Sequence, residues 1–358
     1  MSAHEILIAV MAAFAALGAL DRIFGNRLGL GKEFEEGILA MGSLAIAMVG
    51  VITLAPVLAA ILKPVVVPVF RFLGADPAMF AGSILACDMG GGALAMEMTA
   101  DTDAALLGGV ITGSMLGATI VFTIPVAMGI LSEEDRPAMA RGILCGIVTN
   151  PLGVFAGGLV AGFSVSMLLP NILPIVLIAA LIALGLWKAE DAMIRGFAAF
   201  GKGVVAVITV GLAAAIAEEL TGFTVIPGMA PIAEGFQTVG AIAIVLAGAF
   251  PLVLVLTKLL RKPLTRLGKL IGINETAAAG LVASLANSIA TFGLVKDMDK
   301  RGKVVNIAFS VSAAFVFGDH LGFTAGFAPE MLPAMILGKL VGGISAVLVA
   351  LWLTRKEG

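Results

Sequence analysis

The chain has 358 residues, 60% of them hydrophobic and only 13% charged, with a mean hydropathy of +1.10 and a formal net charge of −2. Soluble domains carry about 25% charged residues, so a soluble enzyme or binding module is excluded. Lys and Arg form no dense patch with interleaved aromatics, which excludes a nucleic-acid partner.

The elements can be taken in chain order. Met1 to Glu5 carries no Lys or Arg, so residues 6–20 read as a retained first helix rather than a cleaved signal peptide. Further apolar segments follow at 38–62, 78–98, 104–131, 138–163, 166–187, 203–217, 236–257, 276–295, 304–327 and 331–353. Stretches of roughly 20 apolar residues span a bilayer as helices. Charged connectors separate them, such as Arg22 to Glu36, Ser132 to Arg141, Lys188 to Lys202 and Lys258 to Lys269. Residues 65–73 are apolar but short and are expected along the interface. The expected fold is an all-α polytopic membrane protein of about 9–11 transmembrane segments. One membrane domain covers 1–358, with repeat 1 at about 1–165, a linking helix at about 166–200 and repeat 2 at about 201–358.

The repeat is visible as a constant offset. Lys63-Pro64, Gly74, Asp76, Gly82 and Asp88 recur as Lys262-Pro263, Gly272, Asn274, Gly280 and Asn287, 198 or 199 positions later. Both segments lead into an apolar stretch with a polar centre, Thr119 in the first and Asp319-His320 in the second. Related halves with glycine-rich, polar breaks at membrane depth are a recurrent transporter plan.

Lys and Arg positions set the topology. If all eleven segments span, the two sides carry similar positive charge. If 78–98 and 276–295 each dip in and return, one side holds only Lys63 and Arg71, and the other holds 19 of the 22 Lys and Arg, with Lys339 inside the last segment. The second arrangement makes the repeats inverted, each with a broken or re-entrant helix. It puts the N-terminus outside and Arg355-Lys356 in the cytoplasm.

The chemistry concentrates at the breaks. Asp88 lies mid-segment, followed by Met89, Gly90, Gly91 and Gly92. A carboxylate in the membrane costs at least a few kcal/mol unless it is paired or lines a cavity, and glycines let the backbone unwind around a ligand. It reads as a cation-binding acid, with a helix-capping acid as the bland alternative. Asp319 has the same desolvation problem. His320 is its neighbour and a candidate partner, proton carrier or donor to substrate. Asn287 and Thr119 supply neutral polar groups in the places that match the two acids. Asn150, before Pro151, reads as structural. Glu97 and Lys296 read as interfacial, and Glu35-Glu36 as a helix cap or an access lining. Lys339 either snorkels or pairs with a carboxylate. Cys87 and Cys145 sit in apolar stretches and suggest neither a disulfide nor a metal site; no cofactor is expected. The chain has no Tyr, 20 Phe and 2 Trp, so cation–π contacts fall to residues such as Phe292, Phe317 or Phe323. Two acids among few other polar groups suit a small cation rather than a sugar or peptide.

These residues carry a resemblance. Phe34-Glu35-Glu36-Gly37, Ala55-Pro56-Val57-Leu58-Ala59, Met79-Phe80-Ala81-Gly82, Leu85-Ala86-Cys87-Asp88-Met89-Gly90-Gly91, Thr119-Ile120-Val121-Phe122, Gly146-Ile147-Val148-Thr149, Arg301-Gly302-Lys303-Val304 and Gly318-Asp319-His320-Leu321-Gly322-Phe323 resemble the bacterial ethanolamine-utilisation permease family over essentially the full chain. The resemblance implies uptake of ethanolamine across the cytoplasmic membrane for catabolism in the cytosol. Ethanolamine is an ammonium at neutral pH, since its amine behaves much like that of Lys. Asp88 or Asp319 would hold the ammonium, Asn287, Thr119 or His320 the hydroxyl, and Gly90 and Gly91 the backbone opening. The chain is shorter than the family pattern after the first helix and near 221–235. Gly92, Ala93 and Met96 stand where the family carries bulkier or basic residues, which suits a slightly larger amino alcohol. A secondary transporter or channel for another small organic cation is the alternative. A homodimer in the lipid bilayer is the expected assembly.

Enzyme readings fail on motif. An intramembrane aspartyl protease needs a Tyr-Asp pair, and there is no Tyr; a zinc metalloprotease needs His-Glu-x-x-His, and the chain has only His4 and His320.

Overall fold

The computed structural model describes residues 2–355, apart from the side chains at positions 261 and 264. Of the C-terminal Arg355-Lys356 pair, Lys356 lies outside the described residues. Among the described residues the regular elements are all helices, and seven of them are long and apolar enough to cross a membrane.

Helix α1 (Ala3–Ile23) opens on a capping box: Ser2 Oγ accepts from the Glu5 amide and the Glu5 carboxylate accepts from the Ser2 amide. Buried Asp21 accepts from the amides of Leu28 (2.9 Å) and Gly31 (3.0 Å), which ties the connector to the start of α2 (Leu30–Phe72). Three prolines, Pro56, Pro64 and Pro68, lie inside α2, and residues 65–72 continue it as its final turns instead of forming a separate segment.

Residues 78–98 are two short helices, α3 (Ala78–Ile84) and α4 (Gly92–Met98), joined by a wide turn at Cys87–Gly91. Thr99 Oγ1 donates to Asp76 Oδ2 at 2.9 Å. A straight helix would hold residues 23 apart at a separation of about 34 Å, so the segment folds back on itself as a hairpin. Gly90 sits at φ +97°, a conformation open to glycine, and a Cβ there would lie 2.3 Å from Val51 on α2.

Helix α5 (Thr102–Ile130) is wound in π-helical turns over Leu107–Gly117 and Thr119–Thr123. π-Turns of this kind recur at functional sites. Next come α6 (Arg136–Val160) and α7 (Val165–Thr221). With 57 residues and a kink at Ala189, α7 is long enough to cross twice and takes in the predicted segments 166–187 and 203–217. Helix α8 (Ile232–Ile271) ends in a glycine cap at Gly272 with φ +72°.

The second break repeats the first. Helices α9 (Glu275–Ala286) and α10 (Ser288–Leu294) meet at Asn287. Thr291 Oγ1 donates to Gly280 O at 2.9 Å, and Asn274 Nδ2 donates to Asp297 O at 3.0 Å. This segment is therefore also a hairpin, closed at its base by Asn274, the residue that matches Asp76 in the first. The predicted segment 304–327 is broken as well, into α11 (Lys300–Ala313) and α12 (Asp319–Phe327). Its unwound linker donates from Phe315 N to Ser284 O (3.0 Å) and from Phe317 N to Leu285 O (2.8 Å). Those are carbonyls that the end of α9 leaves unpaired, so the linker and the second hairpin tip satisfy each other.

The last helix, α13 (Leu332–Leu353), packs on α6, and α2 packs on α8; these are the two most extensive helix pairs. Small residues bring α6 and α13 together. A Cβ on Gly153 would lie 2.7 Å from Gly338 O, and Thr149 Oγ1 donates to Gly342 O at 3.2 Å.

Candidate functional site

The breaks converge. Asp88, at the first hairpin tip, and Asp319-His320, at the start of α12, line one cavity of about 190 Å³. Ser43 and Ala47 of α2, Ala118 and Phe122 of α5, and Phe315 of the α11–α12 linker complete its wall. The Asp88 side chain is 15% exposed, and the His320 side chain 4%. His320 Nε2 lies 3.9 Å from Asp88 Oδ1.

The sequence left Lys339 undecided. It is 1% exposed and does not snorkel: its Nζ meets His320 Nδ1 at 3.0 Å and donates to Ser114 O. An ammonium can only donate, so Nδ1 accepts and the neutral ring carries its proton on Nε2, the nitrogen that faces Asp88. Lys339 thus aims a donor at the acid and at whatever the acid holds.

Phe315, in the unwound α11–α12 linker, is a non-glycine residue at positive φ, +62°. Strain of this kind persists where surrounding contacts over-determine it. Here the backbone bond to Ser284 holds it, and its ring packs against Phe122 (5.4 Å between centroids, 83°) and His320 (5.2 Å, 47°).

A second cavity, of about 290 Å³, lies on the other side of Asp319. Asn287, Phe317, Phe250, Thr257 and Glu33 line it with Asp319. Asn287 Oδ1 accepts from Ile289 N at 2.8 Å, capping α10, which leaves its amide NH₂ for the cavity. A third space, about 40 Å³, adjoins Asp88 and Gly90 on the far side, under Phe323 and Phe327, whose rings stack at 4.8 Å.

Thr119 is placed differently from these residues. It is fully buried, and its hydroxyl donates to Met115 O (2.7 Å) and Val311 O (3.0 Å), joining α5 to α11 behind the cavity wall. Gly91 is buried behind Asp88, its amide donating to Ala86 O at 2.8 Å. Asn150 reaches across helices: Ser312 Oγ donates to its Oδ1 at 2.6 Å. Phe292 is buried at the second hairpin, while Phe317 and Phe323 line cavities. Glu97 and Lys296 are exposed at the hairpin bases, and Glu35 pairs with Arg22 at 3.2 Å.

Glu33, Ser114 and Phe315 were missed by sequence reasoning. Glu33 hid among the six charged residues of the Arg22 to Glu36 connector, and Phe315 among ordinary apolar residues. Only the fold turns the Ser114 carbonyl towards Lys339.

Cys87 Sγ, an Asp88 oxygen and a His320 ring nitrogen lie within 4.8 Å of one another. With Nδ1 accepting from Lys339 and Nε2 carrying the proton, the His320 ring has no free lone pair to offer a metal ion.

Residues 3–353 match the family model described as "Ethanolamine utilisation protein, EutH". The chain is similar to a protein of Listeria monocytogenes named "Probable ethanolamine permease EutH", at 61% identity over 99% of this chain and 95% of that one. It is also similar to proteins of the same name from Salmonella typhimurium and Escherichia coli, each at 47% identity over 100% of this chain and 97% of theirs. No solved structure matches it. With the family model covering almost every residue, the chain belongs to the EutH family of ethanolamine utilisation proteins.

Proposed function

We propose that the protein carries ethanolamine, as its ammonium, across the bacterial inner membrane, and that Asp88 and Asp319 hold the cation. The observation that carries this reading is that acids from the first hairpin tip and from the α11–α12 break line one small cavity deep in the helix bundle. Neither acid has a Lys or Arg within ion-pair distance among the described residues. A buried carboxylate without a counter-ion is costly, and a bound ammonium removes that cost through charge-assisted hydrogen bonds. Non-helical backbone at membrane depth belongs where it lines a cavity; both hairpin tips and the α11–α12 linker do so. The His320 Nε2–H, set by Lys339, serves the substrate hydroxyl or the carboxylate that has released the ammonium. Gly90 opens the backbone beside Asp88; Gly91 and Thr119 support the site from behind. Asn287 serves the adjoining cavity.

The halves, 1–165 and 201–358 about a linking segment 166–200, act as inverted repeats. Several contacts support that topology. Lys303 pairs with Asp135, and Arg301 donates to Ile271 O and Thr354 O. Each pair joins regions that the charge distribution puts on the cytoplasmic side, as it does the C-terminus. Thr99 and Asp76 close the first hairpin on the opposite side. Uptake of radiolabelled ethanolamine into proteoliposomes tests the function: saturable uptake, competed by unlabelled ethanolamine, supports it, and uptake equal to that of protein-free liposomes refutes it.

A further inference from the structure

The three cavities are strung along α2. Glu33 lines the one nearest the cytoplasmic end of α2, Ser43 and Ala47 the central one, and Met48 and Ile52 the one nearest the outside. At 1.5 Å per residue, Glu33 and Ile52 are about 28 Å apart, close to the thickness of a bilayer core. Asp319 lines both the first and second spaces, and Asp88 both the second and third. The acids therefore stand at the boundaries between successive spaces.

The cytoplasm-side cavity has its own recognition chemistry. Glu33 is half-buried in the first turn of α2. Across from it lie the free Asn287 amide, the Thr257 hydroxyl and the faces of Phe250 and Phe317. An ammonium is matched by a carboxylate and aromatic faces, and a hydroxyl by an amide donor and a threonine. Its volume, about 290 Å³, exceeds that of the central cavity, so a molecule of ethanolamine's size fits with part of its hydration shell.

We propose that this cytoplasm-side cavity is a second substrate site, in which Glu33 receives the ammonium after it has passed Asp88 and Asp319 and releases it to the cytosol. This inference rests on the transport reading above and adds a station to it. Several weaker sites in series let a cation both enter and leave, where one deep site would trap it. Glu33 works where water still reaches, so its contribution is to release rather than to the deep step.

The test uses purified full-length protein and ethanolamine itself. In proteoliposomes sorted by orientation, Glu33→Gln should raise the half-saturating ethanolamine concentration for transport from the cytoplasmic face by roughly 3- to 10-fold at low salt, with the maximal rate within about twofold of wild type. Glu33→Asp should recover part of that loss. In detergent, Asp88→Asn should keep a weak calorimetric binding signal that the added Glu33→Gln removes. An unchanged half-saturation in Glu33→Gln, or residual binding in Asp88→Asn that ignores Glu33, overturns the second site. Absence of ethanolamine uptake by the wild type would instead overturn the transport reading.

Discussion

His320 presents Nε2 to Asp88 at 3.9 Å while its other ring nitrogen meets the Lys339 ammonium at 3.0 Å. Three titratable side chains from α13, α12 and the first hairpin tip thus form one line, and the acid at its end faces the cavity. Lys339 stands behind the site rather than in it. Lys339 is too far back to neutralise Asp88 as a direct ion pair, so the carboxylate stays available for a cation from outside.

Lys339→Met should therefore damage transport without touching substrate. It leaves His320 Nδ1 and Ser114 O without their donor. A hydrogen bond from a charged group contributes about 1.5–3 kcal/mol, or roughly 10- to 150-fold. Initial uptake rates should fall by at least about tenfold. Wild-type rates in a well-folded Lys339→Met protein would remove Lys339 from the account.

The hairpins predict a proximity that straight spans forbid. With Cys87 and Cys145 replaced by alanine, an Asp76→Cys/Thr99→Cys pair should form an intramolecular disulfide on mild oxidation, detectable by mass spectrometry. The hydroxyl and carboxylate of the native pair are 2.9 Å apart. Single cysteines at 99–103 should react with impermeant reagent from outside the cell; labelling from the cytoplasm alone would reject the proposed orientation.

The helix pair α6–α13 predicts a site of steric intolerance. Gly338→Leu forces a side chain against Gly153 O, 2.8 Å from the Cβ position. Overpacking of this kind costs about 1–3 kcal/mol, so the melting temperature in detergent should drop by several degrees. Gly42→Leu, where a Cβ meets nothing within 4 Å, is the control that should melt like wild type.

Much of this was legible in the sequence because membranes simplify the code. Apolar length gave the helices, and an acid such as Asp88 or Asp319 inside an apolar run has few reasons to be there. The charge distribution pointed to two re-entrant segments, and the bonds Thr99–Asp76 and Thr291–Gly280 show both folding back. Less was legible where partners are distant in the chain. Lys339 meets His320 and Ser114 only through tertiary packing, and nothing local marks a lysine as snorkelling or buried. Thr119 aligned with Asp319 in the repeat, yet in the fold its hydroxyl serves carbonyls in the helix packing. The break between α11 and α12 lacks a proline and was not visible as a break; it forms because its amides pair with the tip of the second hairpin.

The account's central claim is that Asp88 and Asp319 together hold the ammonium. Saturable uptake of labelled ethanolamine should be compared among wild type, Asp88→Asn and Asp319→Asn reconstituted at equal density, with monodisperse elution confirming the fold. Loss of a charged partner costs about 1.5–3 kcal/mol or more, so each variant should lose at least about tenfold in uptake at subsaturating ethanolamine. Saturable, wild-type-like uptake in both variants would contradict the assignment.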